Sequence, residues 1–152
     1  MTVGLFVPAD TPGNPGGWRF VPPSPRIIPL NQPAAGAGIS YQLDAKWLCR
    51  VDAIYCKLTT NTTTATRKVL VEVIGPTGNH LWTVNDGTGI AKTKAIAMSF
   101  IRQASPTHAA TVNLVNQLPD LWLPPHCTIT LAVTAMAAGD QLSTVTLLLE
   151  YL

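Results

Sequence analysis

Short runs in which every second residue is apolar constrain this chain more than any other feature. In "CTITLAVTA" Ile129, Leu131 and Val133 fall on one side, and Thr128, Thr130, Ala132 and Thr134 on the other. "STVTLLLEY" alternates Val145, Leu147, Leu149 and Tyr151 with Thr146, Leu148 and Glu150. "KVLVEVIG" alternates Val69, Val71 and Val73 with Leu70, Glu72 and Ile74. A period of two marks a strand with one buried face. The same reading predicts strands in "ISYQLDA" from Ile39, "VDAIYCKL" from Val51, "HLWTV" from His80, "KAIAMSFIR" from Lys94 and "ATVNLVNQ" from Ala110. "AKTKAIAMSFIRQ" could pass for a helix, but Ile96, Met98 and Phe100 alternate at period two. The separators "NTTTAT", "GPTGN", "NDGTG", "QASPTH", "LPPH" and "AAGDQ" carry the Gly, Pro, Asn and Asp that tight turns require. Eight short strands at near-regular spacing predict an all-β fold: an antiparallel β-sandwich of jelly-roll type.

The chain before these runs is different. Eight of its 13 prolines precede residue 34, and proline removes a backbone donor and fixes φ, so neither a helix nor a central strand is expected there. The sequence therefore divides into an extended Pro/Gly-rich N-terminal arm, residues 1–38, and a sandwich, residues 39–152. Within the arm, "GNPGGWRFVPPSPR" sets Trp18, Arg19 and Phe20 among prolines and glycines. In polyproline form thirty-odd residues span on the order of 100 Å, at ~3.1 Å each. Such an arm loses little entropy on ordering, and Trp18, Arg19 and Phe20 would anchor it to a partner.

Composition narrows the function. Of 152 residues, 47% are hydrophobic and only 12% charged, about half the usual charged fraction of a soluble domain. A surface so poor in charge is suited to being covered by neighbouring subunits, which predicts a homo-oligomer or a protein ordered by a partner. The net charge is +2 with no dense basic tract, which argues against nucleic acid as the partner. No stretch reaches the length of a membrane span, and the first ten residues lack the pattern of a secretory leader. The three cysteines are read as buried thiols.

No catalytic pattern emerges. His80, His108 and His126 lie in separate turns or strand ends, without metal-ligand spacing. The "NDGTG" around Asp86 reads as a hairpin turn rather than a catalytic loop. No serine sits in a G-x-S-x-G elbow, and the "GAG" at Gly36 lacks the third glycine and helix of a phosphate-binding loop. The expectation is a non-enzyme with no catalytic residue, cofactor or metal. The four tryptophans are many for a small sandwich; Trp47 and Trp82 are read as packed, and Trp122, in "LPDLWLPPH", as an exposed aromatic.

The stretch "LPDLWLPPHCTITLAVTAMAAGDQLSTVTLLLEYL" resembles the ending of small structural proteins of tailed bacteriophages: a Leu/Pro-rich lead-in, a strand closed by a Gly-Asp turn, and a final strand with an acidic-aromatic tail. "VLVEVIGPTGNHLWTV" is similar to a strand-turn-strand of the same proteins. The resemblance is one of pattern and transfers no binding residue. It implies a virion structural protein of capsid decoration or cement type, located in the virion after assembly in the host cytoplasm. Its partners would be the major capsid protein, other virion proteins and copies of itself. A second reading of the same residues is a carbohydrate-binding or host-recognition module of a phage tail, using Trp122 or Trp82.

Overall fold

The computed structural model describes residues 5–11, 14–21, 23–85, 89–106 and 113–152, the first two segments as backbone only. All regular elements among them are strands: β1 (Leu5–Thr11), β2 (Asn14–Val21), β3 (Ser24–Pro29), β4 (Ile39–Gln42), β5 (Cys49–Thr59), β6 (Val69–Ile74), β7 (His80–Asn85), β8 (Ala95–Arg102), β9 (Asn113–Leu118), β10 (Trp122–Leu123), β11 (Thr128–Val133) and β12 (Gln141–Tyr151). The eight strands expected from alternation are all present. The NDGTG turn falls largely on residues 86–88, outside the described residues.

Two sheets face each other. One has the order β3-β12-β5-β8-β9, with β10 also paired to β5; the other is β4-β11-β6-β7. The alternation sets their facing sides. Val69, Val71 and Val73 of β6, Ile129 and Leu131 of β11, Leu147 and Leu149 of β12, and Met98 and Phe100 of β8 are all buried, and they pack into one core with Ile54 and Leu58 of β5. Burying a side chain of this size contributes about 1.5–3 kcal/mol.

The pairing order identifies the topology. Of the ten strands in these two sheets, setting β9 and β10 aside leaves eight, and they pair first with last (β3 with β12), second with seventh (β4 with β11), third with sixth (β5 with β8) and fourth with fifth (β6 with β7). This is a jelly roll. Its pairs are antiparallel; β9 adds an edge by running parallel to β8, a pairing that requires a crossover rather than a hairpin.

The first strand of the jelly roll lies within the expected arm. Ser24–Pro29 pairs with β12 from Tyr151 to Thr146, and the Leu30 N–H continues the pairing to the Val145 carbonyl at 2.8 Å. The prolines do not forbid this, because β3 is an edge strand. Pro25 and Pro29 share one parity, so their missing donors fall on the same side of the strand, and at an edge that side can face away from the sheet. Upstream, β1 and β2 form an antiparallel hairpin from Leu5 opposite Val21 to Thr11 opposite Asn14, with an irregularity after Ala9. This replaces the expected polyproline conformation over those residues. The hairpin is a two-stranded sheet of its own.

Candidate functional site

Polar chemistry concentrates in three places. The first is buried. Arg67 and Asp140 have no exposed surface, and they meet through two hydrogen bonds: Nε to Oδ2 at 2.8 Å and Nη2 to Oδ1 at 3.1 Å. The other Arg67 donors reach the carbonyls of Thr63 (2.8 Å) and Ala65 (2.9 Å) and Oδ1 of Asn61 (2.9 Å). The Asp140 carboxylate also accepts the backbone N–H of Asn61 and of Ala137, both at 2.8 Å. Every donor of the guanidinium is thus engaged. Burial opposes charge on Asp140, but Arg67 and the two N–H groups more than compensate and hold its carboxyl below the ordinary range. The pair locks the 60–67 loop to the 135–140 turn. The "GAG" joins this assembly: the Gly36 N–H donates to the Asp140 carbonyl at 2.8 Å. At Gly38 a Cβ would stand 2.6 Å from the Leu131 carbonyl oxygen, so the close approach explains the glycine. This cluster is closed to ligands and is structural.

The second place is at the other end of β5 and β12. Arg50 contacts Glu150 directly, Asp52 at 3.5 Å and Asp120 at 3.4 Å; Arg102 contacts Asp52 at 2.8 Å and Asp120 at 3.5 Å. Asp52 reaches both arginines from a position where the β5–β12 register shifts, between Val51 and Ala53. Trp122, paired to Arg50 through β10, lies under its guanidinium at 4.7 Å. The expected exposed aromatic is therefore half-buried, with Arg50 over its ring.

The third place is an open groove of about 380 Å³ where the free edges of the two sheets, β7 and β9, come together. Trp82, Val84, Leu118 and Pro119 supply its apolar wall. Thr83, Gln103, Gln117 and Asp120 supply its polar groups. Gln103 Nε2 donates to Asp120 Oδ2 at 3.0 Å, so the groove runs into the ion-pair network. Gln103 itself has φ of 59°, an uncommon backbone for a side-chain-bearing residue.

The remaining expected residues are dispersed. Trp18, Arg19 and Phe20 lie on β2, opposite Pro8, Val7 and Phe6 of β1. Trp82 packs partly against the core, whereas Trp47, expected to be packed, is 47% exposed. His80 is exposed, His126 lies in the loop before β11, and His108 is outside the described residues. Among the described residues no three His, Cys, Asp or Glu side chains gather as a metal site requires, and no helix is long and apolar enough to cross a membrane. Cys49, Cys56 and Cys127 are buried and in no disulfide. Burial pushes the Cys49 thiol up to about 12.

Apart from Trp82 and Trp122, the residues of the ion-pair network and the groove are absent from the sequence reading as site residues. Their residues come from β5, β7, β8, β9, β10 and β12 and from the segments after β8 and β9, and no local spacing joins them. Scarcity of charge was the available signal: with eight Asp and Glu in the chain, Asp52, Asp120, Asp140 and Glu150 are half of them.

The fold and these sites define a jelly-roll sandwich with an additional parallel edge strand and an N-terminal hairpin. No protein-family model matches the sequence, and no curated protein does. Among solved structures, a chain of the infectious bursal disease virus particle is similar over 95% of this chain and 35% of its own, at 16% identity and a TM-score of 0.43. A chain from the Gx strain of that virus is similar over 99% of this chain and 37% of its own, at 15% identity and a TM-score of 0.44. A mutant VP2 protein of the same virus, in derived particles, shows 13% identity and a TM-score of 0.41. The chain spans little more than a third of the length of these structures.

Proposed function

We propose that this chain is a structural virion protein that binds a viral shell and its own copies, as a capsid decoration or cement protein does. Jelly rolls serve as viral capsid domains and as lectin-type domains, so the topology alone does not decide. The observation that carries the reading is an apolar row on the outward face of the larger sheet. Ile27, Leu148, Ala53 and Ile101 are successive cross-strand partners on β3, β12, β5 and β8. They lie on the face opposite the core pairs Leu147, Ile54 and Phe100; Ala53 is buried, and Leu148 and Ile101 are half-buried. Ile27 is 73% exposed, and Tyr55 in the next row is 42% exposed. A sheet face that meets only water is normally polar at these positions; apolar groups there suit a covering subunit.

The hairpin supports the same reading. A two-stranded sheet alone is marginal in water, so β1–β2 gains from a neighbour's surface. Trp18, Arg19 and Phe20 remain the proposed anchors, with the two aromatics contributing most.

The test is occupancy on particles lacking the protein, measured by cryo-EM after adding back purified chain. The full chain is expected to bind at regular positions. Removing residues 1–22, or truncating Trp18 and Phe20 to Ala, is expected to weaken binding by about 2 kcal/mol or more for each buried aromatic. Arg19→Ala is expected to matter less. No regular density for the full chain would refute the shell-binding role, and undiminished occupancy without residues 1–22 would refute the strap.

A further inference from the structure

We infer that the groove between β7 and β9 binds a neutral saccharide, a property separate from shell attachment. The lining carries the chemistry. A sugar ring presents an apolar C–H face and a rim of hydroxyls, each both donor and acceptor. The groove offers the half-buried Trp82, with the buried Leu118 beneath its floor, together with two amides, a hydroxyl and a carboxylate. Its size, about 380 Å³, falls within the range of small-molecule sites, which combine apolar walls with a few placed polar groups.

Charge selects against other ligands. Among the described residues no cation lines the groove. The two arginines that approach it, Arg50 and Arg102, are already drawn onto Asp52, Asp120 and Glu150. A phosphate or an acidic sugar would meet Asp120 with no uncommitted positive charge to offset it. A purely apolar ligand would strip water from Gln103, Gln117 and Asp120 without replacing their hydrogen bonds.

Two of the polar groups, Gln103 and Asp120, are also held in place. Asp120 Oδ2 accepts from Gln103 at 3.0 Å, which orients that amide, while the Arg50 and Arg102 contacts at 3.4 and 3.5 Å hold the carboxylate. With about four lone-pair positions, the carboxylate keeps acceptor capacity for a sugar hydroxyl. Gln103 sits at φ 59° directly after β8, one of five non-glycine residues with positive φ among the described residues. Trp122, shielded by Arg50, is not the platform.

The experiment is a glycan array carrying neutral and sialylated glycans, probed with the full chain. The strongest neutral binder is then titrated by tryptophan fluorescence. Gln117 is exposed, so Gln117→Ala leaves the core intact, which a thermal melt verifies. Binding of a neutral glycan, weakened about tenfold in Gln117→Ala and again in Asp120→Asn, is expected, because each loses a hydrogen bond to the ligand. Trp122→Ala is expected to retain binding. An array with no bound glycan, binding confined to sialylated glycans, or equal affinity in Gln117→Ala would overturn the proposal.

Discussion

Arg67 and Asp140 show what a charge costs inside this sandwich and how the cost is met. Removing one partner leaves the other buried and unpaired, so Asp140→Ala is expected to destabilise the fold by about 3–5 kcal/mol in urea denaturation. The pair also sets an acid limit. The folded carboxyl titrates below the ordinary aspartate value of about 3.9, so its contribution is complete above that value and disappears as pH falls through the folded one. Stability measured from pH 6 downward is expected to drop in this acid range, and Asp140→Asn is expected to flatten the drop. The thiols permit a third measurement. With Cys49 and Cys127 fully buried and burial raising both titrations, a thiol reagent at pH 8 is expected to label neither in the native chain and both in urea. Rapid native labelling would mean that the core opens far more readily than its packing implies.

At the scale of elements, alternation made β4 to β9, β11 and β12 legible, because each buries one face and the period of two survives in the residues. β3 was not legible. Its sequence, "SPRIIP", holds two prolines and an exposed isoleucine, and its membership depends on pairing with residues more than a hundred positions away. An edge strand can be written in residues that would exclude a central one. The two-residue β10 and the β1–β2 hairpin were hidden for the same reason: proline and glycine report local preference, not partners. The sites were less legible still, since the groove draws on β7, β9 and the residues just after β8 and β9, which only the fold brings together. The consequence is measurable. Deleting residues 1–22 is expected to leave a folded sandwich. Deleting residues 1–33 removes β3, uncovers one edge of β12, and is expected to lower the melting temperature sharply or cause aggregation. Equal stability of the two truncations would show that β3 is dispensable.

On the scale of the whole molecule, the jelly roll joins the beginning of the chain to its end. β12 lies between β3 and β5, and its inward residues Leu142, Val145, Leu147, Leu149 and Tyr151 are all buried in the core. Contacts so distant in sequence slow folding, because loop-closure entropy is lost before they form. They also impose an order on biosynthesis. Until β12 emerges from the ribosome, β3 and β5 have no strand between them, and the nascent chain carries an open hydrophobic seam that other nascent chains or chaperones can occupy. Ribosome-bound chains arrested before Gln141 emerges are therefore expected to be digested rapidly by protease. Chains arrested on a linker long enough to expose Tyr151 are expected to resist, and protection of the shorter chains would show that the larger sheet assembles without β12.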